Sequence, residues 1–350
     1  MVLAACSTSA KSPSGGGAAG GSAGAPGGSA GASGSSGGPA GVGAAGVGAA
    51  GAGVAGVGAA GADAGAAGAA AGTGGSAGGA GAAGNGPTDG GAPEAPGGRD
   101  FSTDRTTFFG ASRCAQANVQ LCEDFESGTL DTTTWTVLGG GTKPVIDGVQ
   151  KARGGKALHI MVAGNGESAI RESKTFPAPN DTYYGRVFVY FASLPTPATG
   201  YTYSHWTMIA ATGTGVTGEI RVSGQMQNGM SYWGVDTDNS MDPTGTGDWT
   251  NSDKDPNGKP VAVPTGKWLC IEWMHKGDTN ETAFWWDGVE HPSLSTMPST
   301  PHGGNKTVPF TLPQFKNVWL GWAEYQPTTE PFELWLDEIA IDKARIGCVL

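Results

Sequence analysis

The first 99 residues contain no Phe, Tyr or Trp; every aromatic side chain falls at or after Phe101. Gly, Ala and Ser fill this stretch, and near-repeats such as "GVGAAGVGAAGAGVAGVGAAGADAG" hold nothing large enough to seed a core. Such a segment cannot bury enough apolar surface to offset the entropy of ordering it, so it is expected to be a disordered linker. The repeats are low complexity, not solenoid units. The chain of 350 residues therefore divides into 1–6, a linker over 7–105, and one folded domain over 106–350. Charge divides the same way. Beyond residue 99 there are 28 acidic residues against 18 basic, which argues against nucleic acid or an anionic membrane surface as a partner.

Residues 3–6, Leu-Ala-Ala-Cys, resemble the lipobox of bacterial lipoproteins, in which the cysteine carries the lipid. A lipid on Cys6 ahead of the linker would make a leash of roughly 50 Å. A secretory signal needs a charged start and an apolar stretch. Only five residues precede Cys6, so residues 1–6 read as the remnant of a signal that starts further upstream. The expectation is an extracellular or cell-surface protein of the bacterial outer membrane, monomeric, touching the membrane only through its lipid anchor. No stretch is long enough for a transmembrane helix. Four cysteines remain, an even number that in an exported domain reads as two disulfides. Cys114 and Cys122 lie close together at the domain entrance; Cys270 sits in a strand and Cys348 near the C-terminus. We pair Cys114 with Cys122 and Cys270 with Cys348. Without a Cys-x-x-Cys pair, a zinc site is disfavoured.

The domain reads as short strands bounded by Gly, Pro, Asn or Asp. They fall at "LCEDFE", "KALHIMVA", "SAIRESKTF", "YYGRVFVYF", "YSHWTMIAA", "GEIRVSGQM", "MSYWGVD", "KWLCIEWMHK", "ETAFWWDG", "NVWLGWAEY" and "FELWLDEIAID". Several alternate with period two, and no amphipathic helix of useful length is present. The fold class expected is all-β, a two-sheet antiparallel jelly roll. In "EIRVSGQMQ" every second residue from Glu219 to Gln227 is polar, and Ile220, Val222, Gly224 and Met226 lie between. That strand has one wet face and one dry one.

The segments "CEDFESG", "YYGRVFVYF", "GKWLCIEWMHKG" and "FELWLDEIAID" resemble concanavalin-like jelly rolls. More narrowly, they resemble the fungal secreted proteins induced by cellulose and the related glucuronan lyases, over most of residues 119–345. The resemblance implies a polysaccharide-active domain. Glucuronan lyases use a His, a Gln and a Tyr in that chain order; here His205, then Gln225 or Gln227, then Tyr325 follow it. β-Elimination on a uronic acid needs a group that stabilises the enolate-like state, a base for the C5 proton and an acid for the leaving oxygen. Arg221 and Gln225 are candidates for the first task, His205 and Tyr325 for the others. Tyr203, Arg171, Arg186 and Trp249 are candidate substrate-binding residues. The same resemblance implies Ca²⁺ between Glu126 of "DFESG" and Asp337 of "WLDEI", closing a long loop with a hard cation.

Other readings compete. A glycoside hydrolase needs paired carboxylates, and the Glu-x-Asp-x-x-Glu pattern of jelly-roll glucanases is missing; "FELWLDE" places Glu333 and Asp337 four apart. A non-catalytic carbohydrate-binding module would use exposed Trp, with Trp249 in a polar loop the best placed. "DKDPNG" matches the first half of an EF-hand loop, but position twelve is Pro264, so it reads as a turn.

Overall fold

The computed structural model describes residues 99–215, 218–238, 251–295, 311–329 and 331–350. Cys6, Trp249 and the linker up to Gly98 lie outside the described residues. The domain boundary is corrected by the segment 99–105. Arg99 pairs with Asp342 and donates to the carbonyl of Ala344 at 2.8 Å. The Arg345 guanidinium sits 4.8 Å from the Phe101 ring. These residues belong to the folded body, because charge and one aromatic ring dock them onto the end of the last strand.

The fold is all-β, with two antiparallel sheets. In chain order the strands are β1 (Leu121–Glu123), β2 (Trp135–Leu138), β3 (Val145–Asp147), β4 (Ala157–Val162), β5 (Glu167–Glu172), β6 (Thr182–Phe191), β7 (Tyr203–Thr214) and β8 (Glu219–Gln227). There follow β9 (Met230–Asp238), β10 (Asn251–Ser252), β11 (Trp268–Lys276), β12 (Glu281–Trp286), β13 (Val289–Glu290), β14 (Gln314–Glu324) and β15 (Phe332–Asp342). One sheet runs β13-β12-β11-β6-β15-β4-β3, with β1 on β15; the other runs β10-β9-β8-β7-β14-β5-β2. All eleven expected strands are present. The four not expected are β2, β3, β10 and β13, each four residues or fewer.

The core lies between the sheets. Ile170, Trp206, Ile220, Val222, Trp233, Leu320 and Trp322 from one sheet meet Val187, Val189, Leu269, Ile271, Trp273, Leu334 and Leu336 from the other. Burying that many large apolar groups, at about 1.5–3 kcal/mol each, is what holds the layers together. Gly224, on the dry face of "EIRVSGQMQ", is there for space: a Cβ would come within 2.2 Å of the Trp206 ring. Between Thr207 and Ile209 the β7–β8 register shifts by one residue. Both Met208 and Ile209 therefore enter the core, and Ala210 resumes the outer face. Bulges of this kind re-aim side chains beside sites.

Both expected disulfides form. Cys114 joins Cys122, and Cys270 joins Cys348 across 78 residues. The "DKDPNG" segment is a turn: Asp255 Oδ1 accepts from Asn257 N and Lys259 N, at 2.8 and 2.9 Å.

Candidate functional site

The outer face of the seven-stranded sheet carries the polar residues. Three ladder rows cross it. One holds His205, Gln225 and Tyr232; the next holds Thr207, Ser223, Gly234 and Ser252; the third holds Arg171, Trp319, Ala210, Arg221 and Asp236. The middle row is small, so a shallow pit opens beside His205, walled by Gln225, Tyr232 and Ser252 over Ser223 and Gly234.

His205 leans across this row. Its Nε2 is 2.7 Å from Asp236 Oδ2, and its ring stacks on Tyr325 with centroids 5.0 Å apart. Tyr325 follows the last residue of β14. It is fixed by its N–H donating to the His205 carbonyl at 3.0 Å and by a 3.1 Å hydrogen bond between its hydroxyl and Thr207 Oγ1. Gln326 Oε1 accepts from the His205 N–H at 2.5 Å. Burial pushes the Tyr325 phenol up to about 12, against the lowering effect of Arg221, whose guanidinium lies 5.5 Å from the ring. Gln225 Nε2 donates to the Tyr232 hydroxyl at 2.5 Å, which donates to Gln227 Oε1 at 3.1 Å. Tyr203 faces Gln227 at the end of the same ladder.

Arg221 is placed differently from expectation. Its Nε pairs with Glu219, and its Nη1 is 3.7 Å from Asp236 Oδ1. Burial alone would lower its pKa; Asp236 and Glu219 outweigh burial and hold it well above the ordinary value. Asp236 mirrors this: burial would raise it, but Arg221 and His205 keep it below the usual carboxylate range. The guanidinium, a candidate for stabilising the enolate-like state, is thus held by two internal carboxylates. It supports Tyr325 and Asp236. Arg171, half-buried on the far side of Trp319, makes no hydrogen bond or ion pair among the described residues, which suits it better to an anionic group.

Arg186 is not part of this site. It lies on β6 in the other sheet, fully buried, 3.2 Å from Glu338 Oε2. With Arg153, which also pairs with Glu338, it binds the C-terminal carbonyls. Alternation assigns Arg186 a face of its strand but does not say which sheet the strand joins.

Glu126 and Asp337 do meet the same piece of chain. Asp337 Oδ2 accepts from Ala152 N and Arg153 N at 2.8 and 2.9 Å; Glu126 Oε1 accepts from Gly155 N and Lys156 N, both at 2.8 Å. Burial raises the Asp337 carboxyl to about 7 despite those N–H bonds, and it makes no ion pair among the described residues. Asp337, a buried carboxyl without an ion-pair partner, and Glu126 thus hold the two ends of residues 152–156, where the resemblance implies a hard cation. No group of three or more His, Cys, Asp or Glu suited to a metal occurs among the described residues, so further ligands would be carbonyls, hydroxyls or water.

Asp236 is the site residue that sequence reading missed. It ends the alternating run Tyr232, Gly234, Asp236 in "MSYWGVD", the same period-two signal that singled out β8. Among the described residues Trp268 and Trp286 are half-buried and the other Trp side chains are buried.

The two antiparallel sheets set an all-β jelly-roll class. Within it the chain belongs to the Cip1-like polysaccharide lyase-like family, whose core-domain model matches residues 124–344, more than half of the chain. Among solved structures, it is similar to the cellulose-induced protein Cip1, at 20% identity and TM-score 0.49, over 65% of this chain and 100% of that one. It is also similar to alginate lyase AlyC3, at 12% identity and TM-score 0.37, over 53% of this chain and 74% of that one. A third likeness is to the marine alginate lyase AlyA1 from Zobellia galactanivorans, at 10% identity and TM-score 0.40, over 63% of this chain and 99% of that one. None of the curated proteins matches.

Proposed function

We propose that this protein is a surface-tethered β-eliminase acting on a polyuronate. The observation that carries the reading is the contact set His205–Tyr325–Asp236–Arg221 on one sheet face beside a pit. His205 Nε2 lies 2.7 Å from Asp236 Oδ2, so the tautomer with its proton on Nε2 leaves Nδ1 as an acceptor. That makes it the base for the C5 proton. Tyr325, whose phenol is protonated at neutral pH, is then the acid that protonates the leaving glycosidic oxygen. Arg221, whose guanidinium lies over the Tyr325 ring, stabilises charge developing at the phenol. Gln225, Gln227, Tyr232 and Tyr203 offer directional bonds to sugar hydroxyls, and Arg171 an ion pair to a uronate carboxylate.

The two disulfides fit an oxidising compartment, in line with an exported protein. We propose the lipid anchor on Cys6 as the tether. Calcium at Glu126 and Asp337 is proposed as a structural ion that clips the first and last strands together. The second reading is a non-catalytic carbohydrate-binding domain, which the net acidity of the domain favours. Assay of the purified chain on polyuronates and neutral glycans, following ultraviolet absorbance of an unsaturated product alongside binding, separates the two.

A further inference from the structure

The outer-face residues have inward neighbours. Behind Tyr325 sits Glu324, and behind His205 sits Ser204, exposed by 5% and 0% respectively. Glu324 lies opposite Trp206 in the β14–β7 ladder, and Trp322 Nε1 donates to its Oε2 at 3.0 Å. Its Oε1 and the Ser204 hydroxyl are buried near each other, and neither bonds to any other described group. The walls are apolar: Trp206 stacks on Trp322 at 4.6 Å, and Phe332 of β15 packs on Trp322 beside its ladder partner Val162 of β4. The Gly166 carbonyl accepts the Glu324 N–H at 2.8 Å, and the neighbouring Glu167 side chain points outward. No charged group contributes to the environment of Glu324; His205, Tyr325, Asp236 and Arg221 occupy the other face of the sheet.

We propose that Glu324 is a positioning residue for the outer-face cluster: as the neutral acid it holds Tyr325 and His205 together from behind, and as the carboxylate it releases them. The connection is short. One peptide step separates Glu324 from Tyr325 and Ser204 from His205, and the Tyr325 N–H donates to the His205 carbonyl at 3.0 Å. The neutral acid supplies one O–H to the Ser204 hydroxyl and one acceptor to Trp322. The carboxylate has no cation to meet it and must recruit water, which prises the ends of β7 and β14 apart. Burial raises this carboxyl to about 8, so the release falls at mildly alkaline pH. Only the catalytic consequence rests on the proposed function; the structural effect does not.

The test is hydrogen exchange on the full chain, near pH 6 and near pH 9, corrected for intrinsic rate, in wild type and in E324Q. The amide variant keeps an acceptor for Trp322 and cannot ionise. In wild type, protection of the Tyr325 amide is expected to fall about tenfold or more between the two pH values, and in E324Q to stay level. An equal fall in both proteins, or none in wild type, overturns the proposal. So does a wild-type Glu324 carboxyl that titrates, by carbon-13 NMR, in the ordinary carboxylate range. If elimination is also measured, E324Q extends activity to higher pH. A wild type inactive on every polyuronate would sink the eliminase reading, and the exchange result would still decide this one.

Discussion

The imidazole of His205 lies stacked on the Tyr325 ring, 28° from parallel, while its Nε2 rests 2.7 Å from Asp236. The proposed base thus lies beside a buried carboxylate, and burial keeps the proposed acid protonated. Tyr325→Phe removes the hydroxyl and keeps the stack. It is expected to lower elimination by about 10²–10⁴-fold while oligosaccharide affinity changes little. Parallel turnover and calorimetric binding measurements check this. A matched loss of both would mean that Tyr325 serves binding.

Arg221 links stability to the site. Replacing it with Ala leaves the buried Asp236 and the half-buried Glu219 without this cation, and breaking a buried pair such as Arg221–Asp236 costs about 3–5 kcal/mol. Denaturant unfolding of Arg221→Ala should show that loss. Retention of wild-type stability would mean the carboxylates are solvated and the internal pairing is not a strong one.

The pH dependence of stability follows from Glu324. Its carboxyl sits at about 8 in the fold against an ordinary 4.5. Between those values the native state holds a proton that the unfolded chain has lost, so this group's contribution falls as pH rises, and it levels off above about 8. Glu324→Gln should therefore raise Tm near pH 8.5 by about 5 °C or more and change it little near pH 4. Thermal scans at the two pH values test the sign.

The Cys270–Cys348 disulfide ties strand β11 to the C-terminus, and the proposed calcium ion at Glu126 and Asp337 would be a second staple. Removing the Cys270–Cys348 bridge by a double Ala substitution should cost up to about 4 kcal/mol, given the 78-residue separation. Chelation should lower Tm, and Asp337→Asn should abolish that response while keeping a carbonyl for the Ala152 and Arg153 N–H groups. A melting curve indifferent to both chelator and added calcium would remove the ion from the account.

Period-two alternation made β7, β8 and β14 readable, because a half-buried strand writes its two faces into neighbouring residues. It made His205, Arg221 and Gln225 visible as polar positions, whereas Tyr325, just past the end of β14, came from the resemblance to glucuronan lyases. It did not carry the pairing of strands. Arg186 alternates as well as Arg221, yet its strand joins the other sheet, a choice set by contacts distant in sequence. Asp236 needed the same alternation applied to β9 and was passed over, and without it Arg221 looked available to substrate. Strands as short as β10 and β13 leave no periodic trace at all. Asp253 opens the "DKDPNG" turn, and nothing in that segment marks it as a core residue. It is fully buried and holds His291 and Ser293 at 2.8 Å each, a pairing that only the fold brings about.

The most direct test is turnover itself. The purified chain is to be incubated with glucuronan, alginate and polygalacturonate, with ultraviolet absorbance recorded for wild type, His205→Ala and Tyr325→Phe. The account predicts that wild type forms an unsaturated product from at least one of these polymers and that neither variant does so at a comparable rate. Glycan binding by wild type with no unsaturated product from any of them would contradict it, and would identify the outer face of the seven-stranded sheet as a binding surface only.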